Sequence, residues 1–311
     1  MIIAEKLTKT YPGRKAIENV SFTIRAGEIV GLLGLNGAGK STILKILGCF
    51  LLPSSGKAQV GGFSVDENPQ AIRSLIGYLP DHPPLYDEMT VESYLRYVAK
   101  LKNVPRLDID KKVSQALDVT NTEKVRAVTL SELSHGFRQR VGIAQAIVHE
   151  PKVIILDEPI NGLDPVQIVE MRDLIVSLRG KHTVVLSSHI LSEITKTCDR
   201  ILIVDQGQLI AEGSEEELSK KLAQQQKIAI EVESFSPELE TKLKSLSGIS
   251  KLQVQKNGSN TIKIHLESNG DLRKQISQTL VEGQAGLLAM NRLEAGLEGV
   301  FLKLIKPVEE R

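Results

Sequence analysis

From Met1 to about Gln206, short apolar runs rich in β-branched residues alternate with segments whose apolar residues recur at helical spacing. This alternation is typical of an α/β domain with a mainly parallel core sheet. Strands with continuous apolar runs are buried on both faces, so helices must cover them. The core strands are predicted at Ile29–Leu33, Val153–Leu156, Thr183–Leu186 and Ile201–Val204. The covering helices are predicted at Ser41–Leu47, Phe137–Val148 and Val166–Leu178.

Two further segments with helical spacing, Val91–Lys102 and Ile109–Leu117, lie between predicted core strands. They predict a helical insertion attached to the sheet, at about residues 82–148. The chain up to residue 221 is therefore expected to be one α/β domain with a smaller helical part.

The pattern changes near Ser214. The stretch SEEELSKKLAQQQ begins like a capped helix and ends in a polar glutamine run that suits a domain boundary. Residues 222–311 then follow a βαββαβ-like order with a terminal helix, and are predicted to form a small α+β accessory domain. We expect it to serve in packing or dimerisation. Its predicted parts are Lys227–Glu233, Pro237–Leu246, Leu252–Val254, a hairpin turn at Asn257-Gly258, Ile262–Leu266, Leu272–Leu280, Leu287–Met290 and Leu297–Ile305.

Charge balance and cysteine content narrow the class of protein. The 311 residues carry 39 basic and 38 acidic side chains, a net charge of +1, which removes the electrostatic argument for nucleic acid as a main partner. Cys49 and Cys198 show neither metal-ligand nor disulfide spacing, which fits a reducing compartment. No window approaches the roughly 18 uncharged apolar residues that a membrane-spanning helix needs. We therefore expect a soluble chain that, in any membrane process, depends on another polypeptide for its channel.

A glycine-rich loop with a lysine follows the first predicted core strand. Gly34-Leu35-Asn36-Gly37-Ala38-Gly39-Lys40-Ser41 fits the pattern G-x-x-x-x-G-K-[ST] between a strand and a helix. The glycines allow backbone N–H groups to surround a β-phosphate, Lys40 reaches the β- and γ-phosphate oxygens, and the Ser41 hydroxyl can bind Mg²⁺. A strand-to-helix turn without a ligand is the alternative. The complete order of strand, loop, Lys-Ser and helix argues against it.

Two carboxylates end the predicted strand Val153–Leu156. Ligands of open α/β sheets bind at strand ends, so Asp157 is predicted to hold a metal ion through its water shell. Glu158, one residue on, points in another direction and can orient or deprotonate an attacking water. Alone, the pair would fit a solvated strand end equally well. Together with the phosphate loop, it predicts a metal site.

A histidine follows the next predicted strand along the chain. His189, in VVLSSHILSE, would by itself be interpreted as a helix-entry or core residue. Its place after the Asp-Glu strand favours a catalytic role instead. A neutral imidazole there is expected to donate to a γ-phosphate oxygen and to accept a hydrogen bond from a neighbouring backbone group.

The order of these motifs resembles that of the ATP-binding-cassette (ABC) ATPases, from Met1 to about Lys221. Lys40 and Ser41 fall on the Walker A positions, Asp157 and Glu158 on Walker B and its following glutamate, and His189 on the switch histidine. The resemblance implies that Lys40, Glu158 and His189 take part in catalysis.

Three further stretches are similar to the family. Tyr11 matches the aromatic that stacks on adenine, although a strand aromatic is the plain alternative. Gly162-Leu163-Asp164-Pro165 resembles the D-loop, in which Asp164 is the acidic residue. Leu133–Phe137 resembles the signature motif, whose Ser134, His135 and Gly136 would act in trans on a second chain. The residues that the resemblance assigns to ATP binding are Tyr11, Asn36, Gly37, Ala38, Gly39, Lys40, Ser41 and Thr42.

The resemblance implies a P-loop NTPase core with an antiparallel β subdomain and a helical subdomain. It also implies an ATP hydrolase in which two cassettes bind head to tail, as a homodimer or with a second cassette. Each ATP, with Mg²⁺, lies between the phosphate loop of one cassette and the signature motif of the other. Such a subunit docks on a separate integral-membrane permease at the cytoplasmic face of the cell membrane. The stretch LLAMNRLEAGLEGVFLKLI is similar to the end of exporter-type (ABC-2) cassettes, including multidrug, sodium-efflux and gliding-motility systems.

Two of the chain's departures from the family pattern concern residues expected at the ATP site. Asp81 stands where a glutamine usually touches the metal site and couples to the membrane partner, and an ionised aspartate can still address Mg²⁺ but cannot donate as an amide can. His135 and Phe137 replace the usual glycine and glutamine of the signature motif. They are expected to pack, the alternative being that His135 adds a ligand to the phosphate. With Asp81, the metal set implied by the resemblance is Ser41, Asp157 and Asp81.

A soluble ABC factor that acts on ribosomes or DNA is the competing function. Such factors carry two cassettes or a long coiled-coil insertion, whereas this chain has one Walker A motif, no sustained heptads and a balanced charge. A third alternative is ATP binding without useful turnover, given Asp81 and the altered signature motif.

Overall fold

The structure is a computed structural model that describes residues 1–222, 226–256, 261–268 and 270–293. The chain divides into two compact units after Glu215, and each unit is described by itself. The predicted hairpin turn at Asn257-Gly258 and the predicted helix at Leu297–Ile305 lie outside the described residues. Within the described ranges, no helix is both long enough and apolar enough to cross a membrane.

The first unit contains ten strands and most of the helices. Its strands are β1 (Ile2–Tyr11), β2 (Arg14–Ile24), β3 (Ile29–Leu33), β4 (Ser55–Val60), β5 (Phe63–Ser64), β6 (Ile76–Leu79), β7 (Val153–Leu156), β8 (Thr183–Ser188), β9 (Arg200–Asp205) and β10 (Gln208–Gly213). Its helices are α1 (Lys40–Leu47), α2 (Pro69–Leu75), α3 (Val91–Leu101), α4 (Ile109–Val119), α5 (His135–Ile147), α6 (Pro165–Ser177) and α7 (Leu191–Thr197), and α8 (Glu215–Leu222) begins at the boundary.

A six-stranded sheet of order β10-β9-β3-β8-β7-β6 forms the centre of this unit. The pairs from β9 to β6 are parallel, and β10 is antiparallel to β9. Every residue of β3, β7 and β8 is buried, as expected for strands with helices on both faces. The predicted mainly parallel core is therefore confirmed, and the parallel order brings the carboxyl ends of β3, β7 and β8 to one edge.

Two smaller parts complete the first unit. A second sheet, β2-β1-β4-β5, is antiparallel, and its apolar residues pack with α1 and the central strands in one core. The helical part, α3 and α4, lies between β6 and β7 in the chain and is joined to α5 by short 3₁₀ turns at Glu123–Val125 and Leu130–Glu132. Both subdomains that the family resemblance implied are present.

The second unit has its own core. Its elements are β11 (Gln226–Val232), α9 (Pro237–Lys244), β12 (Ile249–Lys256), β13 (Ile262–Ser268), α10 (Arg273–Glu282) and β14 (Leu287–Leu293). The sheet order is β12-β13-β11-β14 with every pair antiparallel. This is the split βαβ arrangement of ferredoxin-like domains, with the element order β-α-β-β-α-β within the described ranges. Ile228, Ile230, Leu266 and Ile276 are fully buried in its core.

Candidate functional site

The phosphate loop joins β3 to the first turn of α1. Gly39 precedes the helix with a φ of 110°, and a Cβ there would lie 2.8 Å from the Ala16 carbonyl oxygen, so only glycine fits. Lys40, 5% exposed, donates from Nζ to the carbonyl oxygen of Gly34 at 2.7 Å. The loop thus curls around the lysine ammonium at a helix N-terminus, where backbone N–H groups and the helix dipole favour an anion.

Asp157 lies buried at the end of β7, below the loop. Its Oδ1 accepts a hydrogen bond from Ser41 Oγ at 3.0 Å and from Ser187 Oγ at 2.7 Å. Ser187 also accepts from the backbone N–H of Glu158 at 2.9 Å, so it fixes both carboxylate residues. The sequence interpretation missed Ser187. The available signal was its place at the end of a strand, two residues before His189.

Glu158 connects the loop lysine to the histidine. Its Oε1 lies 3.2 Å from Lys40 Nζ, and its Oε2 lies 3.0 Å from His189 Nδ1. Its backbone φ of 49° is left-handed, an uncommon conformation for a non-glycine residue and one that clusters at functional sites.

The contact of His189 differs from the prediction. A neutral ring that accepts from a backbone group was expected, but the neighbour of Nδ1 is the Glu158 carboxylate. The reason is the adjacency of β7 and β8, which places the two strand ends side by side. A carboxylate only accepts, so Nδ1 carries a proton.

These side chains border a cleft of about 490 Å³. The predicted phosphate-loop residues that line it are Asn36, Gly37, Gly39, Lys40, Ser41 and Thr42. From other parts of the first unit come Asp81, Glu158 and His189, which were predicted, and Arg14 and Ala16 of β2 and Asn161, which were not. The structure thus brings together residues separated by about half of the chain.

Three of the residues predicted to bind ATP or the metal ion on this chain lie outside the described lining of the cleft. Ala38 and Asp157 are buried behind it. Tyr11 ends β1, pairs in register with the lining residue Arg14, and has Lys9 Nζ 5.6 Å from its ring centroid. The position is next to the cleft, as an adenine-stacking residue requires.

Asp81 follows β6, the strand beside β7, and its carboxylate faces the cleft near the phosphate loop. His82 Nδ1 lies 3.5 Å from Asp81 Oδ2. Asp81 therefore borders the cleft, and its contact with a metal ion stays a prediction.

The signature residues lie at the start of α5, away from the described lining of this cleft. Ser134 is the exposed N-cap of α5, and its hydroxyl makes no capping hydrogen bond. Gly136 packs against the Gln167 side chain, since a Cβ there would lie 2.6 Å from Gln167 Oε1 and would make that flexible side chain shift. The helix therefore presents a free hydroxyl and its positive end outward.

The two unusual signature residues each have a neighbour. His135 is exposed, and its Nε2 lies 3.0 Å from the carbonyl oxygen of Asn161, just before the D-loop stretch. Phe137 is half-buried under Lys124, whose Nζ lies 5.0 Å from the ring centroid. Asp164 in the D-loop caps α6 by accepting from the backbone N–H groups of Val166 and Gln167.

Comparison with known proteins agrees with this geometry. The family model described as "ABC transporter" matches residues 17–161. The chain is 32% identical to the ABC transporter ATP-binding protein YxlF of Bacillus subtilis (strain 168), over 98% of this chain and 99% of the relative. It is 33% identical to the bacitracin transport ATP-binding protein BcrA of Enterococcus faecalis, over 98% and 96% of the two chains.

Solved structures point the same way. A dimeric cassette in a post-hydrolysis state, bound to ADP and Pi, superposes with a TM-score of 0.64 at 26% identity, over 69% of this chain and 98% of that chain. These likenesses favour the transporter subunit over a soluble regulatory factor, and catalysis over ATP binding alone. The chain belongs to the ABC transporter family, as an ATP-binding cassette subunit that hydrolyses ATP.

Proposed function

We propose that this cassette drives a separate integral-membrane permease of the exporter type. The observation that carries the proposal is the network in which Glu158 lies 3.2 Å from Lys40 Nζ and 3.0 Å from His189 Nδ1, at the wall of a cleft formed by the phosphate loop. BcrA, which matches over nearly the whole chain, is named for bacitracin transport. The preference for export rests on this likeness and on the similarity of the C-terminal stretch to ABC-2 cassettes.

In the proposed mechanism, Lys40 and the N–H groups at the start of α1 bind the phosphates. Ser41, Asp157 and Asp81 offer only oxygen atoms, the ligands that Mg²⁺ prefers, so this donor set fits the ion. Bound Mg²⁺ would neutralise charge on the phosphates. Glu158 accepts the proton of the attacking water, and its hydrogen bond to His189 orients the carboxylate.

The second half of each site comes from another chain. Ser134 and His135 are exposed at the N-terminus of α5 with the buried Gly136 beside them, and none of the three lines the cleft of their own chain. An exposed helix N-terminus with a free hydroxyl suits a γ-phosphate presented by a partner. We infer a head-to-tail homodimer, or a pair with a second cassette, that buries two ATP molecules.

A groove beside β6 is the proposed docking site for the permease. It measures about 360 Å³ and is mainly apolar, with Phe50, Tyr78, Pro83 and Tyr94 in its walls. Phe50 is 63% exposed and packs on Tyr78 with 4.7 Å between ring centroids. We propose that a short amphipathic helix of the permease occupies this groove. Pro80 and Pro83 line this groove, and Asp81, which lies between them in the chain, lines the ATP cleft. A displacement of this loop by the permease would therefore change the position of Asp81 in the ATP cleft.

The proposed function also implies a location for the cassette and a role for its second unit. A cassette that docks on a permease lies peripherally at the cytoplasmic face of the cell membrane. Residues 222–311 form an accessory domain for packing or dimerisation, supported by their own buried core in the described part.

The test is to purify the tagged chain from detergent-solubilised host membranes. We expect a multi-spanning membrane protein to co-purify with the chain in equal amount. The Phe50→Glu variant should lose this protein, because the change places a carboxylate in the wall of an apolar groove. Phe63→Glu, at an exposed phenylalanine on β5, is the matched control and should retain the partner. Co-purification with ribosomes and without a membrane protein would contradict the proposal.

A further inference from the structure

The segment from Arg96 to Lys112 is strongly basic. It contains six basic and two acidic side chains, a net charge of +4, whereas the whole chain has a net charge of +1. It covers the end of α3, the connecting loop and the start of α4. In a chain whose positive and negative charges otherwise balance, such a local excess of positive charge indicates a surface that can bind anions.

Three of the six cations are used within the fold. Arg96 pairs with Glu92 and Asp110. Lys102 donates from Nζ to the carbonyl oxygens of Arg73 at 2.8 Å and Ile76 at 3.0 Å. The third, Lys112, pairs with Glu150.

The other three, Lys100, Arg106 and Lys111, are exposed. Within the described ranges, none of them lies in an ion pair. Lys100 and Arg106 both border a shallow depression of about 760 Å³ between α3 and α4. Two free cations at the rim of a depression fit a phosphate group.

Apolar side chains accompany these cations. Leu107, next to Arg106, is 96% exposed, and Leu101, next to Lys100, is 62% exposed. Tyr97, one turn before Leu101 on α3, is also exposed. Single exposed apolar residues are normal, but leucines that alternate with free cations are typical of surfaces that bind lipid headgroups.

We propose that this surface, defined by Tyr97, Lys100, Leu101, Arg106 and Leu107, binds the anionic surface of a lipid bilayer. Leu107 and Leu101 enter the headgroup region, while Lys100 and Arg106 contact lipid phosphates. A leucine that is 96% exposed matches a fluid interface better than a folded protein, which would need a complementary pocket.

The position of the surface agrees with this occupant. Helix α3 also walls the proposed permease groove through Tyr94, and Lys102, the residue that follows the helix, lines the groove too. A membrane protein in that groove brings a bilayer next to α3. The proposal therefore rests on the proposed function for its setting, although the binding itself requires no permease.

The test is co-sedimentation of the full chain with lipid vesicles. We expect binding to phosphatidylcholine vesicles that contain about 30% phosphatidylglycerol, and at least about tenfold weaker binding to pure phosphatidylcholine. Leu107→Glu, and separately the double change Lys100→Glu with Arg106→Glu, should each weaken binding to the anionic vesicles at least about tenfold, since each lost cation accounts for about fivefold.

Matched controls are available on the second unit. Val281→Glu replaces a side chain that is 66% exposed, and the double change Lys242→Glu with Lys274→Glu alters net charge by the same amount. Both should bind within about twofold of the unmodified chain. Equal loss in the controls, equal binding to neutral vesicles, or no binding at all would overturn the proposal.

ATP hydrolysis by the same proteins separates this proposal from the proposed function. Loss of vesicle binding with hydrolysis retained in Leu107→Glu supports the lipid surface alone. An unmodified chain that binds vesicles but never captures a permease would contradict only the proposed function. Binding that appears only when vesicles carry host membrane proteins would assign the surface to a protein and overturn the lipid proposal.

Discussion

The cleft and the signature motif, which we propose as the two halves of the ATP site, differ in how many of their polar groups are paired. In the cleft, Lys40, Asp157 and Glu158 are buried, and each makes contacts of 3.2 Å or less. At the signature motif, Ser134 and His135 are exposed, and the Ser134 hydroxyl makes no capping bond. Buried polar groups need hydrogen-bond partners within the fold, whereas exposed polar groups remain available to bind another molecule. Substitutions in the two halves should therefore affect different steps.

The largest expected effect comes from Glu158→Gln in the cleft. The change keeps the shape but removes the proton acceptor, so hydrolysis should fall about 10²- to 10⁴-fold while ATP binding persists. ATPase assays and equilibrium nucleotide binding would measure the two steps, and gel filtration with ATP should show a trapped dimer. Turnover near that of the unmodified chain would mean that Glu158 is not the base.

The corresponding change in the other half is Ser134→Arg. An arginine in a closed dimer interface would be buried without a partner, so hydrolysis should fall at least about tenfold through failed dimer closure. ATP binding by the single chain should persist, because the cleft is untouched. Sedimentation with ATP checks the dimer, and Ser131→Arg, at an exposed serine three residues earlier, is the control. A dimer that still forms would place the signature motif outside the interface.

Lys40→Ala tests ATP binding, the step before hydrolysis. Loss of a phosphate-directed ammonium should weaken ATP binding by about ten- to a hundredfold, because charge-assisted hydrogen bonds contribute about 1.5–3 kcal/mol. Isothermal titration with ATP measures this directly. Lys45→Ala, at an exposed position on the same helix, should leave the affinity unchanged. Equal affinities for both variants would argue against the phosphate-loop assignment.

The smallest effect is expected for His135→Ala. The ring is exposed and its Nε2 contacts only a backbone oxygen in the described structure, so the loss should change the ATPase rate by less than about fivefold. His135→Gln can restore a donor to the Asn161 carbonyl. A loss greater than about tenfold, with weaker ATP-dependent dimers, would instead show that His135 reaches the partner's phosphate.

Sequence patterns predicted the central sheet and the residues within contiguous motifs. Lys40 and Ser41 are adjacent to the glycines that shape their loop, so local order alone places them. Contacts that depend on which strands are neighbours in the sheet could not be predicted from the sequence. Nothing in the sequence states that β7 and β8 are neighbours, and the pairing of His189 with Glu158 depends on that fact.

The same limit applies to Ser187 and to the contact of His135 with Asn161. Each of these two contacts joins segments about 30 residues apart in the chain, and only the packing of the sheet and helices brings the segments together. Their residue types carry no distinctive chemistry, because serine and histidine are common at strand and helix ends. A prediction at that level requires the tertiary arrangement.

The separation of cleft and signature motif on one chain also has a consequence for dimers of two different chains. If a Glu158→Gln chain pairs with a Ser134→Arg chain, one site carries both lesions and the other carries none. Random pairing of equal amounts would leave about one quarter of all sites intact. The intact site shares its dimer with one Ser134→Arg side chain at the other site, so the ATPase activity of such mixed dimers reports whether the two sites must close together.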